Sequence, residues 1–294
     1  MLTALLLASA LALLPAVGAA HELAAMAAPK LESAPAATVD PAPPKTGPKA
    51  GTRLDVQLPS LGRALREKGT AKVLAIGSSS TAGVGASAPS RTYTARLEVD
   101  LETALTGTDF DIIGHGLSGE VAQGAADRMK REVEDVKPDL VIWQVGTNDA
   151  LRHVALDSFQ NCLKKTLAFL KEQQIDVILI NPQYGDLLIK DTYYEEVVKA
   201  VAEVAREADV LLVDRFQFMR NLQRQRGDRI YLSTDNLHMN DEGYRCLAEQ
   251  LATTIIAALP QATLSTAHNT ARNAANNAAS VRQPAASSGL PYYP

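Results

Sequence analysis

Cysteine is nearly absent: Cys162 and Cys246 are the only two in 294 residues. Neither belongs to a CxxC pair or stands in a Cys/His cluster, which excludes a metal site built on thiolates. Cys162 falls on the apolar face of a predicted helix, three residues after Phe159, and Cys246 on the flank of another apolar stripe. A disulfide would need Cα atoms within about 7 Å, so a bridge and a pair of half-buried thiols both stay open. An excess of one charge is missing too, with 29 Lys and Arg against 33 Asp and Glu. That balance leaves no electrostatic footprint for nucleic acid or for an anionic membrane surface. Nor does any apolar run reach the ~20 residues that span a bilayer. The most apolar stretch, Leu2 to Val17, runs into Gly18, Ala19 and Ala20 and reads as a signal peptide over residues 1–20 rather than a short membrane anchor. Export to the periplasm or the extracellular space, without stable membrane insertion, is the expectation.

What is present is an ordinary globular composition, 46% hydrophobic and 21% charged, enough apolar material for one substantial core. It is unevenly placed. Residues 21–51 are rich in Pro, Ala, Lys and Thr without an apolar period, and residues 261–294 are rich in Ala, Asn, Ser and Pro. These read as a linker and a disordered low-complexity tail around one domain, residues 52–260. Inside the domain, short Val/Ile/Leu-rich runs at Lys72 to Ile76, Phe110 to Ile113, Leu140 to Val145, Asp176 to Ile180 and Val210 to Val213 have the pattern of strands covered on both faces. Helical stripes separate them, among them Phe159, Leu163, Leu167 and Leu170, then Tyr194, Val197, Val198, Val201 and Val204, and last Tyr244, Leu247, Leu251 and Ile255. Five strands alternating with helices predict a parallel sheet in a three-layer α/β fold.

Ligands of such sheets bind at the carboxyl ends of the strands. The first strand is followed by Gly77-Ser78-Ser79-Ser80-Thr81, the second by Gly114-His115-Gly116-Leu117-Ser118-Gly119, and the third by Gly146-Thr147-Asn148-Asp149. Asp235-Asn236-Leu237-His238 precedes the last helix. A serine needs a base to take its proton, the base needs an orienting acid, and the developing oxyanion needs fixed donors. Ser79, His238 and Asp235 fit the first three roles; the backbone N–H groups of Ser79 and Gly119 and the side-chain amide of Asn148 fit the oxyanion hole.

These four segments, in this order, resemble the SGNH or GDSL-type serine hydrolase family, whose name lists one serine, glycine, asparagine and histidine from each. The resemblance covers most of residues 71 to 258, implies a flavodoxin-like sheet of strand order 2-1-3-4-5, and selects Ser79 among three adjacent serines. It departs from the family at Ser78, where Asp is usual. It implies an ester hydrolase working through an acyl-enzyme, with no metal or other cofactor; together with export and the little room a compact domain leaves for a lid, it points to a small-molecule or glycan ester carrying a short acyl group such as acetyl. A thioesterase or lysophospholipase, or an O-acetyltransferase, would use the same parts. Competing readings are a flavin or phosphate loop at Gly77 to Gly85, a metal site at Asp235, His238 and Asp241, and a glycan-binding module without turnover. His115 and Trp143 read as structural.

Overall fold

The structure, a computed structural model, describes residues 56–226 and 231–265. The expectations for residues 1–51 and for most of the tail therefore lie outside the described residues. Among the described residues five strands form one parallel sheet: β1 (Thr70–Gly77), β2 (Asp109–Gly116), β3 (Leu140–Gln144), β4 (Asp176–Ile180) and β5 (Leu211–Val213), in the order β2-β1-β3-β4-β5.

Period-two alternation assigns each strand's side chains to two cores. Val73 and Ala75 of β1 and Leu140 and Ile142 of β3 pack on one face, beneath α1 (Pro59–Lys68), α2 (Tyr93–Ala104) and the last helix. Leu74, Ile76, Val141 and Trp143 pack on the other, beneath α3 (Ala122–Val136) and two longer helices. Both faces are apolar because both are covered, and each aliphatic side chain so buried stabilises the fold by ~1.5–3 kcal/mol before entropy is counted. β2 is the exception. As an edge strand it is buried fully only at Phe110, so its apolar run looks shorter in sequence than the strand is.

The remaining helices are the short α4 (Thr147–Leu151), α5 (Leu156–Glu172), α6 (Thr192–Ala208), α7 (Arg215–Arg226) and α8 (Asp241–Ala258). Asn240 caps α8: its side chain accepts from the N–H groups of Glu242 and Gly243, both at 3.0 Å, and Asp241 and Glu242 complement the helix dipole. This cap fixes where the Asp235–His238 segment must end.

Two sequence expectations are settled here. Cys162 lies on α5 in one core and Cys246 on α8 in the other, so the sheet separates them and both are free thiols. The tail does not lose structure at Gln261. Residues 261–265 continue as a helical turn after Pro260, and Thr263 is buried there with its Oγ1 donating to the carbonyl of Gly62 at 3.2 Å. Proline is well suited to open such a turn, and the Ala/Thr composition hid it.

Candidate active site

The chain leaves β1 for β2 on one side and later β3 on the other, so the crevice at their carboxyl ends is the topological switch point. The turn after β1 is tightly wound. Ser78 O accepts from the N–H groups of Thr81 and Ala82 at 3.0 Å, and Ser79 O accepts from Val84 N–H at 2.9 Å. Ser78 and Ser80 are buried, which leaves Ser79 as the partly accessible hydroxyl of the three. Ser78, standing where the resembling family usually carries a carboxylate, fills that position differently: its N–H and its hydroxyl both donate to Gln144 Oε1 at 3.1 Å.

The loop before α8 folds back to meet this turn. Gly85, at φ +94°, permits the approach: a Cβ there would stand 2.3 Å from Met239 O and 3.1 Å from His238 Cβ. His238 Nε2 lies 2.9 Å from Ser79 Oγ, and its Nδ1 lies 2.6 Å from Asp235 Oδ2. The other carboxylate oxygen of Asp235 accepts from Ser233 Oγ at 2.6 Å and from the N–H groups of Leu237 and His238 at 2.9 Å. Partial burial disfavours the carboxylate, but the hydrogen bonds from Ser233 and His238, with those two backbone donors, outweigh it and hold Asp235 below the usual carboxylate range. An ionised Asp235 accepts from Nδ1–H, so Nε2 is left as the acceptor facing the serine.

The segment after β2 supplies Gly119 in the left-handed region, at φ +79°, within a turn closed by Glu120 N–H to Leu117 O at 3.0 Å. Asn148, on α4 after β3, donates its side-chain N–H to Glu120 O at 2.8 Å. Asp149 beside it is buried and accepts from Ala122 N–H through both oxygens, at 2.9 and 3.2 Å. Burial raises its pKa against the opposing backbone hydrogen bonds. The Asn148-Asp149 pair therefore joins α4 to the start of α3 and to the Gly119 turn. Beneath that turn, Arg128 pairs with Glu120 Oε2 at 2.8 Å and donates to His115 O at 2.8 Å. The His115 ring meets Glu132, a structural contact.

All five sequence-selected residues, Ser79, Gly119, Asn148, Asp235 and His238, thus line one end of the sheet. Asp241 does not join them: its carboxylate holds Ser87 through the backbone N–H at 2.8 Å and the hydroxyl at 2.5 Å. Among the described residues no group of three His, Cys, Asp or Glu side chains is placed to hold a metal ion. Trp143 is fully buried in the α3/α5/α6 core. Sequence reasoning named Asp149 within its block without giving it a role, and passed over Gln183 and Arg215. The last two follow β4 and β5 as directly as the selected segments follow β1 to β3, and that position was the available signal.

Residues 46–261 match the model of the non-GDSL lipase-like family. An arylesterase of Vibrio mimicus is 25% identical over 157 residues, 52% of this chain and 74% of its own length. Esterase TesA of Pseudomonas aeruginosa is 27% identical over 148 residues, 49% of this chain and 70% of its own. The crystal structure of the acetyl xylan esterase AlAXEase superposes with a TM-score of 0.55 at 26% identity, over 63% of this chain and 99% of that one.

Proposed function

The chain belongs to the non-GDSL lipase-like family, and from that premise we propose that it is a serine carboxylic ester hydrolase acting through an acyl-enzyme on Ser79. The observation that carries this reading is the unbroken line from Asp235 Oδ2 to His238 Nδ1 at 2.6 Å and from His238 Nε2 to Ser79 Oγ at 2.9 Å. Ser79 Oγ attacks the ester carbonyl carbon as His238 Nε2 takes its proton. Asp235 stabilises the imidazolium. The carbonyl oxygen, now negative, is met by the N–H groups of Ser79 and Gly119 and the amide of Asn148. Collapse expels the alcohol with the proton held on His238, and water, activated by the same nitrogen, releases the acid.

Substrate and location are finer parts of the proposal. Likeness to AlAXEase, an acetyl xylan esterase, supports a short acyl group on a sugar alcohol. So does the cleft beside the His238 loop, where Tyr184, Asp186, Gln223 and Asn236 mix polar groups with Leu187, Met219 and Leu232. Such a lining suits a sugar-sized alcohol better than a long lipid chain. Leu2 to Ala20 support export, and no described helix is long and apolar enough to cross a membrane.

A fluorophosphonate probe should label the wild type at Ser79 and leave Ser79→Ala unlabelled and inactive. Among p-nitrophenyl esters from acetyl to palmitoyl, kcat/KM should be greatest at the short end, with acetate released from acetylated xylo-oligosaccharides. Turnover by Ser79→Ala would refute the nucleophile; a preference for palmitoyl would refute the short-acyl reading.

A further inference from the structure

Arg215 opens α7 directly after β5, and its side chain is fully buried. Its guanidinium has three hydrogen-bond acceptors, all neutral. Nε donates to Asn181 O at 3.0 Å, Nη1 to Ser80 Oγ at 3.3 Å, and Nη2 to Gln183 Oε1 at 2.8 Å. Burial lowers its pKa to about 10, so it carries its charge at neutral pH. The tyrosines whose charge would balance it, Tyr93, Tyr194 and Tyr244, are pushed upward by their own burial and stay uncharged. A buried ion held by neutral acceptors carries a heavy desolvation cost.

What that cation touches gives the cost a purpose. Ser80 follows the nucleophile. Gln183 is a junction: its Oε1 accepts from Thr147 Oγ1 at 2.8 Å as well as from Arg215, and its Nε2 donates to Leu237 O at 3.1 Å. Thr147 precedes Asn148, and Leu237 precedes His238. Tyr194 Oη fixes the backbone of the junction by donating to Gln183 O at 2.7 Å. Each of the three segments that must meet at the ester carbonyl is therefore tied, one residue from its reacting group, to a single guanidinium. Arginine suits this because its donors form a rigid planar fork, and a positive charge in a low-dielectric interior favours negative charge developing nearby.

We propose that Arg215 is a positioning residue of the ester-hydrolysis centre, the buried cation that holds the Ser79 turn, the Asn148 segment and the His238 loop in register through Ser80 and Gln183. The inference rests on the function proposed above.

The test compares wild type, Arg215→Met, Arg215→Lys, Gln183→Met and the Arg215→Met/Gln183→Met double variant in the full chain. Each is titrated with a fluorophosphonate, so that kcat on p-nitrophenyl acetate is counted per reactive serine. A purely structural arginine would change the number of reactive serines and leave kcat per serine intact. Displacement of catalytic groups by about 1 Å costs roughly 100-fold, so a fall of about 10- to 100-fold in kcat with KM little changed is expected for Arg215→Met. Arg215→Lys, which keeps the charge without the fork, should recover part of that loss. The double variant should fall no further than the worse single one, since groups acting through one junction are not additive. If Arg215→Met does not fold, Gln183→Met alone decides, with about a 10-fold fall in kcat expected. A kcat per reactive serine within about 3-fold of wild type in whichever variant decides would overturn the inference, as would additive losses in the double variant. A wild type that neither reacts with the probe nor turns over would sink the ester-hydrolase reading instead.

Discussion

Asn148→Ala separates a donor to the oxyanion from an ordinary turn residue. The side-chain amide has two N–H groups, and one is already committed to Glu120 O at 2.8 Å. That bond aims the amide and leaves the other N–H for the substrate oxygen. Alanine removes both. Loss of the bond to Glu120, which is part-buried, costs stability about 0.5–1.5 kcal/mol, a few degrees of Tm for a domain of this size. Loss of the other donor acts only when the oxyanion forms: removing one of three preorganised donors lowers kcat by ~100- to 1,000-fold, about 2.7–4 kcal/mol of transition-state stabilisation. The two effects separate in one set of measurements, with kcat and KM on p-nitrophenyl acetate at 25 °C beside a thermal melt. A folded variant with KM near wild type and kcat down by that factor is the expected result. Asn148→Asp keeps the shape but replaces the donor by a carboxylate facing developing negative charge, and should be at least as impaired. A kcat within about 3-fold of wild type for the alanine variant would refute the reasoning and return Asn148 to holding Glu120 alone.

Two further predictions concern the scaffold. Asp176, half-buried at the start of β4 and accepting from Leu61 N–H at 2.9 Å, has its pKa raised to about 6 by burial. The folded state thus binds more protons than the unfolded state between the unfolded pKa and about 6, and stability should fall as pH rises through that window, by an amount on the order of 3 kcal/mol. In urea titrations from pH 4 to 8, Asp176→Asn should lose that slope and be the more stable protein at pH 8; an unchanged slope would place the cause elsewhere. The two cysteines should both titrate as free thiols after denaturation without reductant, and reductant should leave Tm unchanged, because the sheet lies between them. One bridged pair per molecule would contradict the assignment of α5 and α8 to opposite faces.

How much of this was legible in the sequence depended on how each residue's role is encoded. Strands β1, β3 and β4 were plain because burial on both faces forces unbroken Val/Ile/Leu runs, while the edge strand β2 extends to Gly116 through polar positions that no such run marks. Ser79, Gly119, Asn148, Asp235 and His238 stood out as candidates because each sits in a short block whose residue types serve one chemistry. Arg215 and Gln183 belong to no block. An arginine opening a polar helix reads as solvated surface, since arginine is almost never buried unless paired, and here its partners come from Ser80, Asn181 and Gln183, distant in sequence. A short block can specify which groups react. The register among three loops is set by long-range hydrogen bonds, as in the 135-residue separation between Arg215 and Ser80, and leaves no local pattern to read. What the sequence offers for Arg215 is its place just past a strand's carboxyl end, a signal that selects it only once its full burial is known.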